Sequence, residues 1–318
     1  MINSILNKFN NGEVLDKKEL CELLSIEIGS HDYYNLLFTA NQYSRKTFSN
    51  KGIVFAQIGL DSQPCHINCR FCTLAKNSMK NKQCIVRSID DVVNSAKVLS
   101  QSGIEDLFLM TTAEFSQDDF LKYGVEVRKV IPEKMRLVAN VADFDLEYAK
   151  KLKSVGFTGV YHIHRLGEGL DTGAKSEDRI KTMQAVKDSG LELYYCVEPI
   201  GPEHTNDAIV EEMIRPRNYP VNVMAVMRRI AVSDTPLGSC GEISSASLAQ
   251  ICATATLAMR PKRAMGVHEP DEFCLMAGAN QLYAEVGSNP RDTSSETSEN
   301  RGFSTLDARA MLSKTEWS

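Results

Sequence analysis

A basic face is missing from this sequence. Its 36 Lys and Arg stand against 41 Asp and Glu, a formal net charge of −5, so no positive field draws in nucleic acid or an anionic membrane. Long apolar runs are missing too: none approaches the roughly 18 residues of a membrane span. The opening MINSILNKFNNGEVLDKKEL lacks the apolar stretch after a basic end that marks a secretory signal. The expected setting is cytoplasmic, with no nucleic-acid and no membrane partner. A disulfide framework is also absent. The cysteines number nine, an odd count, and six of them (Cys21, Cys84, Cys196, Cys240, Cys252 and Cys274) stand alone, unlike the dense, paired cysteines of small secreted domains. In a reducing compartment, isolated cysteines serve as small buried hydrophobes, and clustered ones point to a metal.

What is present is enough for a full core: 318 residues, 43% hydrophobic and 24% charged, a length ordinary for one α/β barrel. From residue 51 onward, short β-branched or apolar runs alternate with amphipathic segments. Strands are expected at 53–60, 106–110, 136–141, 159–164, 192–197, 222–227, 263–267 and 281–286. Helices are expected between them, at 89–102, 117–130, 146–155, 177–189, 207–215, 245–259 and 269–277. Eight strands alternating with helices read as an α/β protein, a (β/α)8 TIM-type barrel. Residues 1–50 form an N-terminal helical extension, 51–287 the barrel, and 288–318 a short C-terminal extension. In that last part a loop rich in Ser, Thr, Asn and Glu (288–302) leads to a helix at 305–313.

Directly after the first strand comes DSQPCHINCRFC, with Cys65, Cys69 and Cys72 spaced CxxxCxxC. A barrel puts its active-site loops there, at the C-terminal ends of its strands. Three thiolates this close can each bind one iron of a cubane and leave the fourth iron without a protein ligand. Zinc is the competing reading, with His66 or a distant residue as a further ligand. Soft thiolates, the wider first gap and the aromatic Phe71 before the third cysteine favour the iron–sulfur cluster.

CxxxCxΦC after the first strand of such a barrel resembles the signature of the radical S-adenosylmethionine (SAM) superfamily. The resemblance continues along the chain. FCLMAGAN (273–280), PVN (220–222) with TPL (235–237), and KDSG (187–190) with the strand after it are similar to biotin synthase. The implied branch is the biotin synthase-like one, which also holds hydrogenase cofactor maturases and methylornithine synthase. The implied cofactors are a [4Fe-4S] cluster on Cys65, Cys69 and Cys72, and SAM chelated by the open iron. One electron from the reduced cluster then cleaves SAM, and the 5′-deoxyadenosyl radical takes a hydrogen from a small-molecule substrate. An external electron donor of the flavodoxin or ferredoxin kind is implied as partner.

The same resemblance nominates SAM-binding residues. Phe71 would pack near the adenine, Glu114 would hold the ammonium and Asn140 the ribose. Arg179 would pair with the carboxylate, and the turn at Gly201 would lie beside the adenine, although Pro202 replaces a glycine there. Four of the five have a plainer alternative: a loop anchor for Phe71, a helix-start acid for Glu114, a helix-surface arginine for Arg179, a simple turn for Gly201. His162, His164, Arg165 and Glu168 end the fourth strand and are candidates to meet SAM or substrate. Arg228 after the sixth strand and Arg263 at the start of the seventh are candidates of the same kind. The two histidines share one strand face and Arg165 the other.

One departure matters. Biotin synthase holds a second cluster with cysteines on its second, third and fifth strands, and the positions here are Leu109, Ala139 or Asn140, and Tyr194. Sulfur insertion of the biotin type is therefore not expected. The expectation is a maturase-like rearrangement, fragmentation or methylation in cofactor biosynthesis. Two alternatives stand beside it: a sulfur-inserting synthase of the lipoyl or biotin type, whose second cluster would draw on Cys84, Cys196, Cys240, Cys252 and Cys274, and a non-catalytic iron–sulfur or zinc scaffold.

Overall fold

The computed structural model describes residues 2–78, 84–287, 289 and 303–318. Three helices come first: α1 (Ile2–Asn10), α2 (Lys17–Leu24) and α3 (His31–Thr47). Asp16 starts α2 by accepting from the Glu19 backbone N–H, while the Glu19 carboxylate accepts from the Asp16 N–H. That reciprocal cap satisfies two of the donors a helix start leaves bare.

Strands and helices then alternate: β1 (Ile53–Gly59), α4 (Ile89–Gln101), β2 (Asp106–Met110), α5 (Gln117–Val130), β3 (Arg136–Asn140), α6 (Leu146–Ser154), β4 (Gly159–Tyr161) and α7 (Ser176–Ser189). The second half runs β5 (Glu192–Ile200), α8 (Asn206–Ile214), β6 (Val221–Arg228), α9 (Ser245–Met259), β7 (Ala264–Val267), α10 (Glu272–Met276) and β8 (Gln281–Gly287), and α11 (Thr305–Lys314) ends the chain. Every strand pairs in parallel with the next and β8 returns to β1, so the sheet closes as the expected (β/α)8 barrel. The departures from expectation are local. β4 stops at Tyr161, short of the expected His164, and β5 runs on to Ile200. α10 starts late because Pro270 cannot continue a helix backwards and Asp271 caps Phe273. Of the expected 288–302 loop, all but Asn289 lies outside the described residues.

Inward-facing side chains recur every second residue along each strand. Phe55 (β1), Phe108 (β2), Tyr161 (β4), Tyr194 (β5) and Tyr283 (β8) make an aromatic layer across the barrel, with ring centroids 4.5 Å apart for Phe55–Phe108 and 5.3 Å for Phe108–Tyr194. Gly159 leaves room for it: a Cβ there would stand 2.7 Å from the Tyr194 ring. Below this layer, at the N-terminal end of the strands, Asp106, Arg263 and Gln281 close the barrel floor. Above it lies the cavity.

Outside, α9 is buried on nearly all sides, which suits its apolar sequence, because it lies between β6 and the helices α2 and α3. Trp317 near the C-terminus donates its indole N–H to the Leu275 carbonyl and carries the Arg45 guanidinium 4.4 Å over its ring. Both ends of the chain are thereby tied to the barrel wall. Among the described residues no helix is long and apolar enough to cross a membrane.

Candidate active site

The cysteine loop leaves β1 and is anchored before it reaches the first cysteine. Asp61, fully buried, accepts from the Thr112 backbone N–H at 2.8 Å and from the Thr112 hydroxyl at 2.6 Å. The loop then folds on itself: the Cys65 N–H donates to the Leu74 carbonyl, Lys76 N–H to the Cys65 carbonyl, and Cys72 N–H to the Cys69 carbonyl. Its far side docks on the segment after β4. Arg70 pairs with Asp171 at 2.8 Å, and the Gly173 N–H donates to the Ile67 carbonyl. The close approach requires glycine, since a Cβ at 173 would stand 2.8 Å from the Ile67 oxygen.

Cys65, Cys69 and Cys72 all line the same cavity at the C-terminal mouth of the barrel, together with Phe71. Burial, with the neighbouring cysteines adding to it, pushes the Cys69 thiol up to about 11 and the Cys72 thiol up to about 12. Thiolates in such a place need a cationic partner. A single tetrahedral zinc holds donors about 3.3–3.8 Å apart, from bonds of about 2.0–2.3 Å. Among the described residues the three triad sulfurs do not form a set whose donors all lie within 4.8 Å of one another. Three sulfurs that each hold a different iron need a wider spread than the donors of one ion. His66, the other zinc candidate, gives its Nδ1 to Glu114 at 2.5 Å. Three soft thiolates, with His66 engaged by Glu114, therefore fit a cluster better than a zinc knuckle.

Two arginines share this cavity, Arg179 buried and Arg165 half-buried. Arg165 lines the cavity with its Nε 3.8 Å from Glu198 and its Nη1 4.0 Å from Glu168. Burial pushes its guanidinium down, but Cys69, Glu168 and Glu198 hold it above its ordinary value. Arg179, from the first turn of α7, reaches Asp143 at 3.1 Å and Glu168 at 3.3 Å, and its Nε makes no well-formed hydrogen bond among the described residues. Asp143 and Asn140 line the wall beside it. Cationic forks, a carboxylate and an amide on one wall match what an amino acid–nucleoside such as SAM presents.

The structure sorts the remaining expected residues. Phe71, Asn140, Arg165 and Arg179 line the cavity with the triad. Glu168 does not; its side chain is fully buried behind both arginines, which it holds. His162 and His164 also turn away. β4 faces inward with Gly159 and Tyr161, and that alternation sends both histidines outward. His162 meets Asp143 at 3.1 Å, and His164 sits between Glu212 of α8 at 3.0 Å and Ser176 at 2.8 Å. Glu114 is bound to His66 beside the mouth, where Thr111, Thr112 and Ala113 form the wall instead. Gly201 packs against Arg229 and takes the His204 imidazole on its N–H. Arg228 is drawn outward to Asp271 at 3.6 Å and Glu242 at 3.9 Å. Arg263 lies at the opposite end of the barrel, bidentate on Asp106. None of these last residues lines the cavity. Sequence reasoning missed Asp143, Tyr161, Glu198 and His268, which do. Counting by twos from Arg165 would have found Tyr161, and from Tyr194 would have found Glu198.

The position of His162 has a measurable consequence. Burial pushes its imidazole down to about 4, against the pull of Asp143. The unfolded chain binds that proton at about 6.5, so the folded state carries no penalty above that pH and loses stability as pH falls toward 4. Urea unfolding should show a loss of about 2 kcal/mol between pH 7.5 and pH 5 from this group. His162→Gln should remove most of it; an equal loss in both proteins would place the acid sensitivity elsewhere.

The scattered cysteines do not assemble. Cys84 and Cys240 are exposed, Cys252 and Cys274 are buried together between α9 and α10, and Cys196 is inside the barrel. Among the described residues nothing brings three of them to one centre.

No protein-family model matches the chain. Biotin synthase from Clostridioides difficile (strain 630) is 22% identical over 232 residues, which are 69% of this chain and 71% of that one. Biotin synthase from Methylobacterium sp. (strain 4-46) is 29% identical over 160 residues, 42% and 44% of the two chains. Among solved structures, the FeFe-hydrogenase maturase HydG from Carboxydothermus hydrogenoformans superposes with a TM-score of 0.79 at 15% identity, covering 98% of this chain and 78% of its own. Methylornithine synthase (PylB) superposes with a TM-score of 0.79 at 17% identity, over 98% and 95%. The structural likeness is one of fold, and the sequence likeness runs to biotin synthase. Together they make this chain a protein that resembles the biotin synthase-like branch of the radical SAM superfamily.

Proposed function

We propose that this protein is a radical SAM enzyme: Cys65, Cys69 and Cys72 hold a [4Fe-4S] cluster, and SAM lies between them and the arginine wall. The observation that carries the reading is one cavity lined by the cysteine triad together with Arg165, Arg179, Asn140 and Asp143. The chemistry that a cluster held there would supply is one-electron reductive cleavage of SAM to methionine and a hydrogen-abstracting radical. The chain does the positioning. Arg179 and Arg165 offer fixed donors to a carboxylate, and Glu168 behind them keeps both from swinging away. Asp143, itself held by His162, offers an acceptor for an ammonium or a ribose hydroxyl. The aromatic floor beneath keeps water from the place where a radical would meet its substrate.

The substrate in this reading is a small molecule, the electron donor an external flavodoxin- or ferredoxin-like protein, and the setting a reducing cytoplasm that preserves the free thiols. The reaction class is a rearrangement, fragmentation or methylation in cofactor biosynthesis. The dispersal of the other cysteines speaks against sulfur insertion of the lipoyl type. Anaerobic protein given dithionite and SAM, with extracts of small metabolites as substrate source, should release 5′-deoxyadenosine. None, from protein carrying an intact reducible cluster, would overturn the reading. Arg179→Ala should weaken SAM binding about 10- to 100-fold, the scale of one charge-assisted contact, with cluster iron unchanged. Unaltered affinity in equilibrium dialysis would remove Arg179 from the site.

A further inference from the structure

We propose a second metal site inside the barrel, a mononuclear divalent ion held by Cys196, Glu198 and His268. Cys196 and Glu198 are two residues apart on β5 and so share its inward face. His268 follows β7 directly and turns inward above Gly266, with its ring 5.2 Å from Phe55 and 5.5 Å from Tyr161. The thiol sulfur, a carboxylate oxygen and an imidazole nitrogen all lie within 4.8 Å of one another, and all three residues are buried. Among the described residues this is the set of three metal-capable side chains whose donors converge so closely. Rotamer adjustments of about 1 Å bring them to the spacing of a tetrahedral zinc or ferrous ion.

The donor set is chemically specific. One thiolate, one imidazole and one carboxylate form a borderline-soft group that suits Zn2+ or Fe2+ and does not suit Mg2+ or Ca2+. A thiolate and a carboxylate against a divalent cation give no net charge, which is the arrangement a buried site tolerates. The outer partners are in place as well. The Tyr161 hydroxyl donates to Glu198 at 2.6 Å, and Arg165 stands 3.8 Å from the other carboxylate oxygen, so the carboxylate is oriented from behind as metal-bound carboxylates are.

Glu198 and His268 both line the cavity that the cysteine triad roofs, whereas Cys196 lies behind them. Three protein ligands leave a fourth position, as in catalytic zinc sites, and since Glu198 and His268 line the cavity that position would open toward it. It would take a nitrogen, oxygen or sulfur donor of the small molecule bound there. The ion would thereby anchor the substrate beneath SAM. The metal site itself does not depend on the triad, so it stands or falls separately from the function proposed above.

The test is metal binding, with no turnover needed. Full-length protein, reconstituted anaerobically and freed of loose metal, is dialysed against Zn2+. About one zinc per chain should bind in addition to the cluster iron. The Cys196→Ser/His268→Gln double variant should lose that zinc and keep the iron. No zinc on the wild-type protein, or zinc that persists in the double variant, would overturn the site. A second measurement uses the Cys65→Ala/Cys69→Ala/Cys72→Ala protein, which has no triad to compete. With Co2+ it should show a thiolate-to-cobalt absorption band that disappears on adding Cys196→Ser. A folded triad-free protein without that band would refute the proposal, since it would mean that all tight metal binding belongs to the triad.

Discussion

Cys69→Ala protein should leave anaerobic reconstitution without its cubane and form no more 5′-deoxyadenosine than a protein-free control. Removing one thiolate leaves two, and a site-differentiated cubane needs three. The loss would not come from a collapsed loop. The bonds that shape it run through backbone atoms, from Cys65 to Leu74, from Lys76 to Cys65 and from Cys72 to Cys69, and its far side is held by Asp171 and Gly173. An alanine at 69 keeps every one of them, so circular dichroism and thermal unfolding of the cluster-free proteins should match. Cys84→Ala is the natural control. That residue is exposed and does not line the cavity, and its replacement should leave iron content and SAM cleavage unchanged. Iron near four per chain with full cleavage in Cys69→Ala would sink the cluster assignment and the proposed activity with it.

The barrel and the triad were legible in the sequence because both depend on local pattern. Alternating strands and helices announce themselves by period, and CxxxCxxC needs only eight residues. The cavity wall was harder because it depends on parity and on distant contacts. His162 and His164 drew attention as polar types at a strand end, yet β4 faces inward with Gly159 and Tyr161, which fixes the histidines outward. Arg165 was separable from them on that same parity. The coupling of Asp143 to His162 and Arg179 joins the connection after β3 to the one after β4. No local pattern in a single sequence reports it. Arg263 is a different lesson. It was placed at the start of its strand, and the start of a barrel strand belongs to the stability face rather than the catalytic one. The family resemblance made it a candidate for SAM or substrate; elementary barrel geometry would have kept it at the floor, where the structure has it.

That floor position gives the largest stability effect to be expected outside the cysteines. Asp106 is fully buried at the start of β2, and Arg263 meets both of its carboxylate oxygens, with the Tyr194 hydroxyl and Gln281 close by. Burial pushes the Asp106 carboxyl up and Arg263 opposes it; burial pushes Arg263 down, and its hydrogen bonds to Asp106 hold it above its ordinary value. The bidentate geometry makes the ionised pair the folded form. Arg263→Ala leaves a buried carboxylate whose remaining hydrogen-bond partner among the described residues is the Gln281 amide, 3.4 Å away. Breaking such a pair costs about 3–5 kcal/mol, which for a chain of this length lowers Tm by roughly 5–8 °C. Replacing both partners by apolar residues of similar volume removes the stranded charge, so Asp106→Leu/Arg263→Met should recover most of the loss. The two ends of the barrel also separate by assay. Cluster iron and SAM affinity in Arg263→Ala, measured below its lowered Tm, should equal those of the parent protein, because the aromatic layer lies between this pair and the cavity. An unchanged Tm would mean that water reaches Asp106 through the floor, and lost SAM affinity would return Arg263 to the site.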